Sequence, residues 1–357
     1  MKGVVLSGGH GTRLRPLTHT GPKQLIPIAN KPNILYCLED LRDAGITDIG
    51  IILGDIMPER VREALGNGAE WGLNLTYIDQ GAPRGIAHAI LCAQEFVGED
   101  AFCVYLGDNV LKGSIQPMVE EFRQGKDDAA VLLAKVPQPE RFGVVEVDPE
   151  GQVLSLVEKP KEPKSDLALV GIYLLRPNIF PVIQRLKPSW RNELEITDAL
   201  DRLRAGGGSL KAHEVTGWWK DTGRAEDILE ANRLILDDIE AVDDGTVERG
   251  ARVEGRVRID SGSVVRTGSV VKGPTVIGRD CVIGPDTQVG PYTSIGDGCR
   301  LVGADIEGSI VIGDSTIETP NKIVNSLIGR HTTIRAVNSV SPLGQQLIVG
   351  ENSTLVL

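Results

Sequence analysis

An aliphatic residue returns every six positions towards the C-terminal end of the chain. The repeated positions are Val253, Ile259, Val265, Val271, Ile277, Ile283, Val289, Ile295 and Leu301. Glycine, proline, aspartate and serine stand between them. A parallel β-helix requires such a period, because six residues form one flat side, three sides form one coil, and each side points one aliphatic side chain inwards. The repeat therefore predicts a parallel β-helix in this part of the chain.

The six-residue register slips after Leu301, where the segments 305–313 and 321–329 repeat at a longer interval. We expect protruding loops there, with the coils continuing to about Val349. The repeat resembles the left-handed hexapeptide β-helix. That resemblance implies the left-handed sense of winding.

A different pattern fills the chain from residue 1 to about 125, where short β-rich runs alternate with helical patterns. These segments are 3–6, 34–44, 46–53, 58–65, 73–78, 86–96 and 101–106. Several strands in succession then follow, at 129–136, 143–147, 153–158 and 167–175. The whole pattern predicts an α/β fold with a Rossmann-like, mostly parallel mixed sheet, followed by the C-terminal β-helix.

A glycine-rich loop follows the first predicted strand. It places three glycines and two arginines within residues 8–15, and Lys23 comes ten residues after Arg13. Glycines let successive backbone N–H groups turn towards one anion, and the cations add charge. The loop is not a Walker motif, which ends in Gly-Lys-Ser/Thr, and a dinucleotide fingerprint would need glycine where Leu14 stands. We therefore expect a phosphate site of a third kind.

The two joined motifs are Gly-Gly-x-Gly-Thr-Arg-Leu-x-Pro-Leu-Thr and Pro-Lys-Gln-Leu-x-Pro-Ile. Together they resemble the signature of the sugar-1-phosphate nucleotidylyltransferases, and most closely that of the thymidylyltransferases with a C-terminal β-helix. The resemblance implies a nucleotidyltransferase catalytic domain over residues 1–240 and a β-helix domain over 241–357. It also implies transfer of a deoxythymidylyl group from dTTP to glucose-1-phosphate, with UTP as an alternative donor.

The same resemblance implies the site residues. The catalytic cations would be Arg13, Lys23 and Lys159. The nucleotide would be bound by Gly8, Gly9, Gly11, Thr12, Gln24, Gln80 and Gly85. The sugar would be bound by Gly143, Glu158, Lys159, Val170 and Tyr173. A Mg²⁺ cofactor would be held by Asp108 and Asp221.

Elementary chemistry is consistent with such a set of residues. Both substrates are anionic and the attacking phosphate oxygen is already ionised, so the reaction needs cations, a metal and donors rather than a protein nucleophile. Two aspartates from separate loops are enough to hold Mg²⁺ together with phosphate and water. Segment 191–198 leaves two roles open for Glu193 and Glu195: groups supporting the site, or charges at a helix N-terminus. We favour the second role for Glu195.

The overall composition limits the partners. A net charge of −11 argues against nucleic acid as the main partner. There is no apolar run near twenty residues and no signal-peptide pattern, so we expect a cytoplasmic protein that does not associate with a membrane. The five cysteines show no Cys-x-x-Cys spacing, which favours reduced thiols. Because β-helices commonly associate, we expect a homo-oligomer.

Two further functions compete with this interpretation. A bifunctional uridylyltransferase/acyltransferase would need a general base in the β-helix, and His331 is the only histidine beyond His213. A non-catalytic regulatory subunit usually lacks the cations or the metal carboxylates. All four are present here, namely Arg13, Lys23, Asp108 and Asp221.

Overall fold

The computed structural model describes residues 1–336. The expected coils between there and Val349 lie outside the described residues. The chain forms two compact units. The first contains Met1–Thr12, Thr20–Leu25 and Asn33–Asp221, and the second contains Arg13–His19, Ile26–Pro32 and the described chain from Thr222 onward. The division between residues 240 and 241 stays a prediction.

The bounds of the elements before the β-helix are as follows. The helices are α1 (Asn33–Asp43), α2 (Pro58–Leu65), α3 (Ile86–Cys92), α4 (Gln94–Val97), α5 (Gln116–Gln124), α6 (Ile179–Ile183), α7 (Ile196–Ala205) and α8 (Ala225–Leu236). The strands are β1 (Lys2–Ser7), β2 (Pro27–Ile28), β3 (Lys31–Pro32), β4 (Asp48–Gly54), β5 (Asn74–Gly81), β6 (Phe102–Leu106), β7 (Asn109–Lys112), β8 (Ala129–Lys135), β9 (Gly143–Val147), β10 (Val153–Glu158), β11 (Leu167–Leu175), β12 (Leu210–Glu214) and β13 (Trp218–Asp221). Short 3₁₀ turns lie at Thr12–Leu14, Leu17–His19 and Lys23–Leu25.

One nine-stranded sheet organises the first unit. Its main order is β10-β9-β11-β6-β1-β4-β5, and β8 joins β11 to β12. Strand β1 is parallel to both β4 and β6, whereas β11 runs antiparallel to β6. The predicted mixed, mostly parallel sheet is therefore confirmed, and the antiparallel strands come from the predicted succession of strands after residue 129.

The central strands are apolar on both faces because helices cover both. On β1, the adjacent residues Val4 and Val5 are fully buried and belong to separate hydrophobic clusters. Helix α1 contributes Ile34, Leu38 and Leu41 to one of these clusters, since residues four and seven positions apart share one helix face. Because β1, β4 and β6 run parallel, their carboxyl ends lie at one edge of the sheet. Ligands bind at this edge in such sheets.

The β-helix consists of short parallel strands in three sheets. They are β14 (Val242–Asp243), β15 (Thr246–Val247), β16 (Arg252–Glu254), β17 (Val257–Ile259), β18 (Val264–Val265), β19 (Val270–Lys272), β20 (Thr275–Ile277), β21 (Val282–Ile283), β22 (Gln288–Val289), β23 (Thr293–Ile295), β24 (Arg300–Leu301), β25 (Asp305–Glu307), β26 (Ile310–Val311), β27 (Thr316–Glu318), β28 (Lys322–Val324), β29 (Leu327–Ile328) and β30 (Thr333–Arg335). Every third strand pairs, so the three sheets are the flat sides of a β-helix. This arrangement confirms the predicted left-handed β-helix class.

Most of the predicted inward positions are correct. Residues from Ile259 to Leu301 at the six-residue spacing are at most 1 % exposed. Val253 is the exception, at 38 % exposed, because its strand β16 lies in the first coil and pairs on one side only, with β19. The expectation that Val253 points into a closed core is therefore wrong.

The expected protruding loops after Leu301 are also wrong. Val264 pairs with Val282, 18 residues further on, but Ser294 pairs with Ile310, only 16 residues further on. The coils become shorter there rather than longer. The buried Ile306 and Val311 keep the inward pattern because some sides contain five residues instead of six.

Within the second unit, one buried amide joins helix α8 to the β-helix. Asn232 is fully buried, and its Oδ1 accepts hydrogen bonds from Ala29 N at 2.8 Å and from Ser294 Oγ at 2.7 Å. Its Nδ2 donates to the carbonyl of Tyr292 at 3.3 Å. The β2-β3 hairpin and α8 are therefore both anchored on the same face of the β-helix.

Candidate active site

The loops that carry the predicted site residues of the first unit follow neighbouring parallel strands. Leu6 lies opposite Leu106 in the register of β1 and β6, and Gly107 N donates to the carbonyl of Leu6 at 2.9 Å. The glycine loop leaves β1 directly after Ser7, and Asp108 comes two residues after β6 ends. The fold therefore brings the glycine loop and Asp108 to the same sheet edge, as predicted.

Lys23 and Asp108 form an ion pair at this edge. Lys23 Nζ donates to Asp108 Oδ2, and the two side chains are only 15 % and 12 % exposed. Burial raises the pKa of Asp108, but the Lys23 charge and hydrogen bond, aided by other donors, outweigh burial and hold the pKa below its usual value. The carboxylate is thus ionised and ready to face a cation.

The second predicted metal ligand lies beside the first through strand pairing. Strand β13 runs antiparallel to β7, and Asp221 is opposite Asn109 in the register. Asn109 donates to Asp108 Oδ1 at 3.2 Å and accepts from Trp219 Nε1 at 2.5 Å. Two carboxylates from separate strands are the oxygen donors that suit Mg²⁺, with phosphate and water completing its coordination. The residues present therefore fit the expected cofactor.

Gly8, Gly54 and Gln80 pack closely at the ends of β1, β4 and β5. A Cβ on Gly8 would be 2.5 Å from Gln80 Oε1, and a Cβ on Gly54 would be 2.5 Å from the carbonyl oxygen of Gly8. A side chain at either position would collide with these atoms. Gly85 has a φ of +102°, and a Cβ there would be 2.5 Å from the carbonyl oxygen of Leu194. The glycines thus allow close packing at these strand ends, and the crevice outside them, where ligands bind in such sheets, is here called the slot.

Polar atoms near the glycine loop are buried without a protein partner. Gln24 Oε1 and Ser7 Oγ make no hydrogen bond among the described residues 1–336. Gln24 is 1 % exposed and Ser7 is 6 % exposed. Because buried acceptors and hydroxyls are normally satisfied, these atoms favour a bound polar ligand. Gly9 lies beside them on the loop, and a Cβ there would be 3.3 Å from Lys23 Cε.

The remaining predicted residues of the loop are exposed or turn-forming. Gly11 has a φ of +60°, in the left-handed region that glycine adopts easily, and Thr12 begins a 3₁₀ turn. Arg13 is exposed and belongs to the second unit.

The predicted sugar carboxylate lies in a dense polar cluster. Glu158 accepts from Arg191 Nη1 at 3.3 Å and from Thr197 Oγ1 at 3.2 Å, and Lys159 Nζ is 3.6 Å from its Oε1. A Cβ on Gly143 would be 2.6 Å from Thr197 Cγ2 and 3.3 Å from Glu158 Oε2. Glycine at 143, paired with Glu158 in the strand register, therefore lets Thr197 approach the backbone closely beside this carboxylate.

Burial raises the pKa of Glu158, and Glu195 raises it further, whereas Lys159, Thr197 and Arg191 lower it. The net pKa lies above the ordinary value of 4.5. Glu195, which we expected to be a helix-terminal charge, is 4 % exposed and accepts from Ser189 Oγ at 2.8 Å and from Arg191. Arg191 Nη2 also lies 2.9 Å from Glu193 Oε2. Both glutamates thus hold Arg191, which lies against Glu158.

Two predicted sugar contacts lie in the core. Val170 is fully buried and Tyr173 is 3 % exposed, and both belong to the main hydrophobic clusters. Burial, followed by the charge of Glu158, raises the pKa of Tyr173. A role for these two residues in sugar binding stays a prediction.

Sequence reasoning did not assign Thr197, Arg191, Trp219 or His88 to the site. Arg191 and Thr197 belong to the segment 191–198, which also contains Glu193 and Glu195. His88 lies in helix α3, and its Nδ1 is 3.2 Å from Gln80 Nε2. The signal available for each was its proximity in sequence to a recognised motif.

Residues 2–238 match the family described as nucleotidyl transferase. The chain belongs to the nucleotidyl transferase family. Over the whole of both chains, this nucleotidyltransferase is 52 % identical to the low-salt glycan biosynthesis nucleotidyltransferase Agl11 of Haloferax volcanii. It is 46 % identical to the glucose-1-phosphate thymidylyltransferase of Streptomyces antibioticus, over 99 % of this chain and 98 % of that protein.

A solved structure of UDP-glucose pyrophosphorylase complexed with UDP-glucose is similar to this nucleotidyltransferase, with a TM-score of 0.60 and 28 % identity. The similarity covers 67 % of this chain and 99 % of that one. Among residues 1–336, none of the helices is both long and apolar enough to cross a membrane.

Proposed function

We propose that this nucleotidyltransferase transfers a deoxythymidylyl group from dTTP to glucose-1-phosphate. An oxygen of the sugar phosphate forms a bond to the α-phosphorus, the bond between the α-phosphorus and the bridging oxygen breaks, and pyrophosphate leaves. The products are dTDP-glucose and pyrophosphate. The Streptomyces antibioticus relative, similar over nearly its full length, supports this choice of substrates.

The observation that carries the proposal is the buried Lys23–Asp108 ion pair beside Asp221 at the carboxyl edge of the sheet. Lys23 is proposed to bind oxygens of the triphosphate. Asp108 and Asp221 would hold Mg²⁺, which when bound supplies positive charge that cancels repulsion between the two anionic substrates. Arg13 is proposed as the second cation on the phosphates.

The polar cluster around Glu158 supports a sugar site. Its carboxylate offers acceptors for sugar hydroxyls, and Arg191 and Thr197 fix its position. Lys159, which is exposed and has a φ of +43°, is proposed to meet the sugar phosphate. The cytoplasmic location and the homo-oligomer stay predictions.

A uridylyl donor is the second candidate, favoured by the similarity to UDP-glucose pyrophosphorylase. An acyltransferase function of the β-helix finds little support, since His331 is exposed on a turn with a φ of +58°.

The test is a coupled pyrophosphate assay with the purified protein over a matrix of nucleoside triphosphates and sugar phosphates, with and without Mg²⁺. We expect the highest kcat/KM with dTTP and glucose-1-phosphate, lower use of UTP, and no turnover after chelation by EDTA until Mg²⁺ is restored. A clear preference for UTP would support the second candidate. Absence of pyrophosphate with every pair would support the regulatory-subunit alternative.

A further inference from the structure

Gln80 has one end of its amide engaged by the protein, and the other end accepts no hydrogen bond from residues 1–336. Gln80 Nε2 donates to the carbonyl of Gly85 at 3.4 Å and lies 3.2 Å from His88 Nδ1. Oε1 lies over Gly8, where a Cβ would come within 2.5 Å of it. The two ends of this side chain therefore have different surroundings.

The direction of the amide follows from hydrogen-bond chemistry. A backbone carbonyl accepts hydrogen bonds and never donates, so the end of Gln80 that faces Gly85 O must be the NH₂ group. The same NH₂ group faces His88, so His88 Nδ1 must be the acceptor. His88 is then the neutral tautomer with its proton on Nε2. Burial, followed by the charge of Arg84, lowers the pKa of His88, which keeps the ring neutral at physiological pH.

This geometry leaves Gln80 as an acceptor towards the slot, because both protons of its Nε2 point at protein groups. The imide edge of thymine or uracil carries a proton on N3 that Oε1 can accept. Cytosine has a lone pair at N3 instead, which Oε1 would repel. If the amide turned over, its NH₂ group would face the slot and would suit cytosine.

We infer that His88 is a positioning residue that selects thymine-type bases over cytosine by holding the Gln80 amide in one orientation. The inference rests on the proposed function, since it assigns the slot to the base of the nucleotide. His88 is not proposed to contact either substrate. It acts through Gln80, and Gly85 contributes the second contact that sets the same direction.

The experiment compares kcat/KM for dTTP and for dCTP, two nucleotides with the same sugar, in the wild type and in His88→Phe. Phenylalanine keeps a planar ring and removes the acceptor. We expect the dTTP-to-dCTP ratio to fall about five- to tenfold, the value of one neutral hydrogen bond. His88→Gln, which retains an acceptor oxygen, should keep an intermediate ratio. His213→Phe is the matched control, because His213 lies on β12 beside Glu121, and its ratio should equal that of the wild type.

A second measurement does not depend on turnover. In ¹⁵N-histidine-labelled protein, His88 should show the Nε2–H tautomer at neutral pH, and an Nδ1–H tautomer would overturn the inference. An unchanged ratio in His88→Phe, with wild-type activity on dTTP, would also overturn it while leaving the proposed function intact. Failure of the wild type to use dTTP or UTP would instead reject the proposed function.

Discussion

Lys23 and Asp108, 85 residues apart in the chain, meet as a buried ion pair at the carboxyl edge of the central sheet. Each residue belongs to a motif that is visible in the sequence, but their contact is not. Their contact places a cation on a carboxylate that is proposed to bind metal, so each holds the other in position before substrates arrive.

Replacing one member of this pair should harm both stability and activity. Lys23→Ala leaves the buried Asp108 carboxylate without its ammonium and should lower the free energy of unfolding by about 3 kcal/mol. Asp108→Asn should lower kcat by about 100-fold or more, as loss of one charge-stabilising group does elsewhere. Urea unfolding and the pyrophosphate assay measure the two effects. The exposed Lys126→Ala is the control, and equal unfolding of Lys126→Ala and Lys23→Ala would contradict the role of the pair.

A side chain at residue 54 should disturb the slot that is proposed to bind the base. A Cβ there would come 2.5 Å from Gly8 O and 2.7 Å from Gly8 Cα, which are backbone atoms that cannot move aside cheaply. Gly54→Ala should cost about 1 to 3 kcal/mol and raise KM for dTTP about tenfold or more. Gly21→Ala is matched, since no atom lies within 4 Å of its Cβ position, and it should behave as the wild type. Similar KM values for both variants would argue against the slot.

Sugar binding should weaken in acid because of Glu158. Its pKa is raised above 4.5, chiefly by burial, so its carboxylate is present above the raised pKa and is lost as pH falls through it. KM for glucose-1-phosphate should therefore rise as pH decreases towards that range, while KM for dTTP changes less. Because the ionised form is the one that burial penalises, Glu158→Gln should be slightly more stable than the wild type at neutral pH.

The control for the acid effect is Glu158→Gln itself. This variant should have a high KM for the sugar phosphate that no longer depends on pH in the same range. A pH profile with the wild-type shape would show that another group titrates.

The β-helix core offers a stability test with two adjacent residues. Ile283 is fully buried, whereas its neighbour Val282 on the same strand is only half-buried. Ile283→Ala should lower the free energy of unfolding by about 2 to 5 kcal/mol, because it leaves a cavity between coils. Val282→Ala should cost clearly less. Equal shifts in chemical denaturation would contradict the predicted inward and outward alternation.

Much of the fold was predictable because its signals are local. The six-residue aliphatic repeat identifies the β-helix, and the alternation of short strands and helices identifies the mixed sheet. The same local reasoning was wrong at Val253, which is 38 % exposed, and after Leu301, where the coils shorten. A sequence repeat does not show which coil of the β-helix is the first. When the six-residue spacing breaks, the sequence also does not show whether that side of the coil has gained or lost residues.

The candidate site was likewise only partly predictable from the sequence. The glycine loop and the motifs around Asp108, Glu158 and Asp221 were visible in the sequence, because phosphate and metal chemistry demand particular residue types close together. Which residues support them was not visible. Arg191 and Thr197 reach Glu158 across more than 30 residues, at separations of 33 and 39.

The two architectures and the phosphate-binding character of the loop can be predicted from local sequence, since periodicity and glycine content are properties of a few neighbouring residues. The pairing of Lys23 with Asp108, and the contacts of the Gln80 NH₂ group with Gly85 and His88, are apparent only in the folded chain. Both depend on strand order and register, which join distant segments and have no local signature. Hydrogen bonds and ion pairs act over a few ångströms in space, whatever the separation of the two residues along the chain.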